Sequence, residues 1–204
     1  MSGNQTIDEP TAAAGRRERR RAETRAEIID AAWQLAREEG LAGISMRELG
    51  ARVGMRAQSL YGYVASKNDL YDAMFRQGYE VAGALVASWP APPLTRAVLK
   101  DRLGAWIAFC VEDPVRYQLL FQRTIPDFEP SPASYALAVD VLAGLGEVLG
   151  AIGIDDPAAM DLLTAIVTGL TSQQLANDPG GDRWVRLAGE AVDMFLDHYG
   201  ALPT

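Results

Sequence analysis

Two side chains a quarter of the way along the chain carry recognisable chemistry: Arg56 and Gln58. A guanidinium places two donors on the O6/N7 edge of guanine, and a carboxamide pairs in the same two-point way with adenine. Both fall in a segment that reads as a short helix over about 56–63. Its exposed side chains are expected to be Arg56, Ala57, Gln58, Gly62 and Tyr63. Other chemistries have little to build on. His198 is the only histidine and Cys110 the only cysteine. That removes an intramolecular disulfide, cysteine zinc sites, and most metal and triad arrangements. Two acidic pairs, Glu112-Asp113 and Asp155-Asp156, each stand directly before a proline and read as helix starts. No catalytic residue, metal ligand or cofactor is implied.

The elements that must hold Arg56 and Gln58 are legible between residues 45 and 70. Ser45 and Glu48 have capping-box spacing, so a helix is expected to begin at Met46. Gly50 is the small residue where two helices lie close, and Gly54 supplies a left-handed turn at no steric cost. Leu49, Val53, Met55, Leu60 and Val64 are apolar pins for the pair. The plan is a helix-turn-helix, whose second helix enters the DNA major groove. Ser66 and Asp69 start the next helix, expected from Lys67 to about Ser88. Before the pair, Ile28, Ala32 and Leu35 recur at helical spacing in a helix from about 22 to Glu39, closed by Gly40. Residues 1–15 lack an apolar period and are expected to be disordered. Residues 1–21 are expected to form a disordered basic arm, and Arg16 to Arg25 would contact the minor groove or phosphates, the alternative being a solvated charge run.

Charge divides along the chain. The total is −8, yet residues 89–204 carry 15 acidic and 7 basic side chains, whereas residues 1–88 balance at 12 of each. A basic contact region on an acidic body follows. Trp89-Pro-Ala-Pro-Pro93 interrupts the helical pattern and marks a boundary. Beyond it helices are expected at about 95–112, 114–122, 133–151, 156–177 and 182–199, with no strand. No uncharged run reaches the length of a membrane span. The first residues lack a signal layout, which suggests a cytoplasmic protein.

The motifs Ile29-x-x-Ala32, Glu39-Gly40, Ser45-x-x-x-Leu49, Gly54-Met55, Leu60-Tyr61 and Ser66-Lys67-x-x-Leu70 together resemble the TetR (tetracycline-repressor-like) family of transcriptional regulators. The resemblance covers about residues 22–75. It implies an all-α, Ω-shaped homodimer, with an N-terminal three-helix DNA-binding domain over 22–66. A C-terminal helical bundle over 67–204 would bind a small, hydrophobic effector and dimerise through its last two helices. The family pattern assigns Arg47, Arg56 and Gln58 to bases of a near-palindromic operator. Ser59, Tyr61, Tyr63 and Lys67 fall to the DNA backbone, and Ser45 brings its helix N-terminus near a phosphate. Gly62 departs from relatives that carry a larger side chain there. Inside a recognition helix it costs about 1 kcal/mol of helix propensity.

In the C-terminal part, Trp106, Phe109, Cys110, Tyr117 and Phe121 cluster on two adjacent helices. With polar groups from Gln118, Gln122 and Tyr135 they form a candidate ligand pocket. Ala159, Leu163, Ile166 and Leu170 make one stripe; Trp184, Ala188, Ala191, Phe195 and Tyr199 make another. Gly169 and Gly189 would permit close approach. The family resemblance makes these a four-helix dimer interface; the alternative is that both stripes pack inside one chain. The competing reading is a helical small-molecule-binding module without DNA contact.

Overall fold

The computed structural model describes residues 9–89 and 93–202, and the chain divides into two compact units, Met1–Met74 and Phe75–Thr204. The division falls inside a helix, not at the proline run. Every element among the described residues is helical.

The first unit begins with α1, Glu9–Gly43. Residues 1–8 lie outside the described residues, but 9–15, expected to be disordered, belong to this helix. Residues 16–21, the rest of the arm expected to be disordered, are helical too. The reason is local. Pro10 sits in the first turn, where its missing N–H costs nothing, and Ala12 to Ala14 and the arginines are strong helix formers. Ile28, Ala32, Leu35 and Ala36 are buried, as the spacing demands. Gly40, at φ 75°, breaks the helix where expected.

α2 spans Met46–Arg52 and α3 spans Ala57–Leu60. The Ser45 hydroxyl accepts the Glu48 N–H at 3.1 Å, which fixes the start of α2. A Cβ on Gly50 would stand 2.7 Å from the Met55 carbonyl oxygen and 3.2 Å from the Ala57 nitrogen. Only glycine permits that approach. The Met55 N–H donates to the Gly50 carbonyl at 2.7 Å, and Gly54 turns the chain at φ 67°. Leu49, Leu60 and Val64 are the buried pins; Val53 and Met55 are half-buried.

α4 runs Lys67–Ala87 and carries the unit boundary between Met74 and Phe75. Its start is a reciprocal cap. Ser66 Oγ accepts the Asp69 N–H, and the Asp69 carboxylate accepts the Ala65 N–H, both at 3.0 Å.

The second unit holds the rest of α4, then α5 (Arg96–Glu112), α6 (Pro114–Phe121), α7 (Pro132–Ala151), α8 (Pro157–Asn177) and α9 (Ala188–Tyr199). Asp113 and Asp156 cap α6 and α8, with Pro114 and Pro157 in the first turns, as the acidic pairs suggested. α5 packs on α8 and α9. Arg96 pins the start of α5 to the end of α9, reaching Asp193, Asp197 and the Leu202 carbonyl, and Lys100 adds a 2.5 Å contact to Asp193. The last helix starts at Ala188, not near 182. Buried Gln174 takes the Trp184 N–H at 2.9 Å, and Asp178 takes the Arg183 N–H at 2.9 Å. Those backbone donors are thereby held in a loop and a 3₁₀ turn, Val185–Leu187.

The two stripes expected at a dimer interface are instead largely internal to the chain. Ala159, Leu163 and Phe195 join Leu149, Val192 and Leu196 in one buried cluster, with Ile166 and Tyr199 packed against it. Ala188 is also buried. The periodicity marked an apolar face correctly, but periodicity does not say which neighbour covers that face. α7 is long and apolar enough to cross a membrane by length and composition, although it carries Asp140 and Glu147. Many of its apolar residues line the cavity described below.

Candidate nucleic-acid interface and helical-bundle cavity

The first unit presents Arg47, Arg56, Gln58 and Ser59 as exposed side chains, and Tyr61 and Gly62 are exposed beside them; Ala57 is half-buried. α2 and α3 are locked by the Gly50 contact, so Arg47 on one and Arg56 and Gln58 on the other are held by rigid backbone. Arg52 is excluded from the surface roles. It grips Glu38 with both guanidinium nitrogens, one at 2.9 Å, and so ties α2 to α1. Hydrogen bonding to Arg52 holds the Glu38 carboxyl below its ordinary range. Arg47 lies about 140° around the helix from Arg52, which leaves it facing elsewhere.

The helix after the turn is shorter than expected. α3 ends at Leu60, and Tyr61 to Tyr63 form a turn in which the Gly62 N–H donates to Ser59 at 3.2 Å and the Tyr63 N–H to Leu60 at 2.8 Å. Gly62 therefore lies beyond the helix, and the expected propensity cost inside it does not arise. Its carbonyl has a separate use. It accepts a 2.6 Å hydrogen bond from the Arg21 guanidinium, which also lies 5.7 Å from the centroid of the half-buried Tyr63 ring. Nothing local in the sequence signals this pairing across 41 positions.

Lys67 is likewise engaged within the unit. Its ammonium donates to the Ala42 carbonyl at 2.9 Å and stands 5.6 Å from the Tyr71 ring centroid. Two N–H donors remain on the group after that bond. Ser45 acts as the cap.

The arginine run is helical throughout, from Arg16 to Arg25. A helix with side chains is about 10–12 Å across, and the DNA minor groove is about 6 Å wide. Insertion of this segment into the minor groove therefore does not fit its helical form.

The second unit holds a half-open cavity of about 560 Å³, with Tyr135, Val139 and Leu142 of its α7 wall still exposed to solvent. Trp106, Cys110, Tyr117, Phe121 and Tyr135 line it, as expected. The rings cluster, with Trp106 edge-on to Phe121 at 5.9 Å and Tyr117 tilted against Phe121 at 5.5 Å. Phe109 does not line it. Its ring is capped by the Arg116 guanidinium at 3.9 Å, and Arg116 also donates to the Phe109 carbonyl at 2.7 Å. Gln118 and Gln122 are absent from the wall too, and Gln118 is exposed. The polar groups come instead from Thr164, Thr168 and Thr171 on α8, Arg102 on α5 and Glu147 on α7, with Tyr79 on α4. Burial pushes the Cys110 thiol up to about 12, so it stays protonated and inert at neutral pH. Burial also raises the Tyr79 phenol above its usual value. Among the described residues no group of three or more His, Cys, Asp or Glu side chains is arranged to hold a metal.

With this geometry in hand, the comparisons are specific. Residues 28–74 match the family described as "Bacterial regulatory proteins, tetR family". The HTH-type transcriptional repressor DrrR1 of Streptomyces coeruleorubidus is 30% identical over 155 residues, covering 72% of this chain and 52% of that relative. The chain thus spans about half the length of DrrR1. A crystal structure of the regulatory protein SCO4313 superposes with a TM-score of 0.72 at 23% identity, covering 88% of this chain and 98% of that one, and shows the shared fold. The multidrug binding protein EbrR, crystallised with ethidium, is 27% identical with a TM-score of 0.61, covering 89% of this chain and 99% of its own.

Proposed function

This chain belongs to the TetR family of DNA-binding bacterial regulatory proteins, and we propose that it is a dimeric repressor released from its operator by a small, mainly apolar effector. The observation that carries the reading is the pairing, in one chain, of a glycine-locked helix-turn-helix with an aromatic-walled cavity of about 560 Å³, within the size range of small-molecule sites. In this reading Arg47, Arg56 and Gln58 contact bases, and Ser59, Tyr61, Tyr63 and Lys67 contact the backbone. Phosphates also meet the N-terminus of α2, set by Ser45.

α4 is the lever. The same helix supplies Leu70, Tyr71 and Met74 to the core of the first unit and Tyr79 and Val86 to the cavity wall. An effector that prefers one arrangement of α4 shifts the spacing of two recognition helices, and it does so only by its differential affinity for the two states. For the dimer, α8 offers a second face that the chain does not cover. Leu162, Ala165, Gly169 and Ala176 are exposed there, and a Cβ on Gly169 would meet nothing within 4 Å. Met194 of α9 is 67% exposed. A Cβ on Gly189, by contrast, would meet the Lys100 side chain at 3.7 Å. The kind of ligand carried by EbrR supports an aromatic occupant for the cavity.

Anisotropy titration of labelled duplex DNA at several salt concentrations tests the reading. Salt-dependent binding with at least a hundredfold preference for a selected sequence is expected. Binding that is indifferent to both sequence and salt would refute it.

A further inference from the structure

The side chains that both line the cavity and lie exposed to solvent come from two helices: Tyr135, Val139, Leu142 and Glu147 on α7, and Thr164 and Thr168 on α8. Every other wall residue is buried or half-buried. The open side of the cavity therefore lies between α7 and α8. Residues 152–156 join the two helices, which meet near that loop, where a Cβ on Gly146 would stand 3.2 Å from the Met160 Cε. Gly146, Leu142, Val139 and Tyr135 follow one another at steps of four, three and four, so they share one stripe of α7. Met160, Thr164 and Thr168 share one stripe of α8 for the same reason. The two stripes thus converge at Gly146 and Met160. Away from that contact they part, leaving Leu142, Val139 and Tyr135 48%, 49% and 55% exposed. The result is a wedge-shaped cleft, about 16 Å long from Gly146 to Tyr135.

Single exposed apolar side chains are ordinary, but a row of them on the rim of an apolar cavity marks a place where something binds or passes. We propose that this cleft is the effector's portal: a small apolar molecule enters and leaves the cavity between α7 and α8, across the lip formed by Tyr135, Val139 and Leu142. The proposal rests on the effector reading given above and adds the route. Along that route an apolar solute stays on apolar surface from the lip to the rings of Tyr117 and Phe121, and no buried helix has to move aside. The uncovered face of α8, with Leu162, Ala165 and Gly169, lies about 130° around the helix from the stripe of Met160, Thr164 and Thr168. A second copy seated on that face leaves the portal open.

The test uses the full chain and N-phenyl-1-naphthylamine, a neutral apolar probe whose emission rises in apolar surroundings, followed by stopped flow. Cys110 is the only native cysteine and is buried, so Val139→Cys places one reactive thiol on the lip. Ala108→Cys, at an exposed position of α5 that is absent from the wall, is the control. Each variant is compared with itself before and after coupling to a bulky maleimide. A plug in the path raises one barrier for both directions. Coupling in Val139→Cys is therefore expected to slow probe association and dissociation alike, each about tenfold, with Kd held within about twofold. Coupling in Ala108→Cys is expected to change neither rate. Unchanged rates in coupled Val139→Cys, or weaker binding through faster dissociation alone, overturns the proposal and leaves the effector reading in place. A thiol in Val139→Cys that fails to couple in the folded chain means that a second copy covers the lip, and overturns it too. Failure of the wild-type chain to bind the probe overturns the effector role of the cavity and this proposal with it.

Discussion

The Arg21 guanidinium donates to the Gly62 carbonyl at 2.6 Å, joining the amino-terminal stretch of α1 to the turn that follows the recognition helix. An arginine from a run that looked like a free arm is thus a latch within the DNA-facing unit. It holds the turn that carries Tyr61 and Tyr63, and its guanidinium lies against the Tyr63 ring as well. A positioning residue and a phosphate ligand differ in one measurable respect. Arg21→Gln is expected to weaken operator binding about three- to tenfold, the order of one hydrogen bond. The slope of log K against log salt is expected to stay constant, because no phosphate charge is lost. A slope reduced by about one unit would mean that Arg21 neutralises a phosphate instead.

Base reading gives a different pattern. Arg56→Ala and Gln58→Ala are each expected to cost about 1–3 kcal/mol of discrimination at one operator position, with non-specific binding nearly unchanged. Titration against operators substituted one base pair at a time checks this. Uniform weakening across all sequences would move these residues to the backbone.

Gly50→Ala tests the architecture. Its Cβ would stand 2.7 Å from the Met55 carbonyl oxygen, against backbone that cannot rotate away. The variant is expected to lose about 1–3 kcal/mol in urea denaturation and to bind operator poorly. Gly169→Ala, whose Cβ meets nothing, is expected to keep monomer stability.

Those particulars show what the amino-acid sequence discloses. Ser45, Glu48, Gly50 and Gly54 act locally, within one or two turns of chain, and each does in the structure what its type and spacing suggest. Asp113 and Asp156 cap helices for the same reason. Gly62 falls outside the helix because helix length depends on where the turn at Tyr61 to Tyr63 takes over, which is a tertiary matter. The α8 and α9 stripes fit a partner or the chain's own core equally well in the sequence, because an apolar face has no label for its cover. Clustering in the sequence points Phe109 to the cavity, yet Arg116 claims its ring. Most of the cavity's aromatic wall was legible. Its threonines were not, since three threonines on a helix ordinarily suggest nothing more than weak propensity.

Acid stability follows from Asp193. Lys100 first, and then Arg96, hold its carboxyl below its ordinary value of 3.8. The contribution of that pairing is complete above the unfolded value and is lost as pH falls below it. Asp193→Asn is therefore expected to lower Tm at pH 7 and to make Tm less sensitive to pH below about 4. A Tm difference from wild type that stays constant down to pH 2 would count against the pairing.

Cys110 offers a check on burial. With its thiol raised to about 12, it is expected to resist Ellman's reagent at pH 8 in the folded protein and to react at once in 6 M guanidinium. Rapid reaction in the folded state would mean that the cavity wall opens readily.

The central claim, that Arg47 and Arg56 on the glycine-locked helix pair read an operator, is tested most directly by selecting duplex DNA from a random pool with the wild-type chain and with Arg47→Ala/Arg56→Ala. The account predicts that the wild type enriches a near-palindromic sequence, with half-sites about one helical turn apart or a multiple of it, and that the double variant enriches none. Enrichment of the same sequence by both proteins, or of no sequence by the wild type, would contradict it.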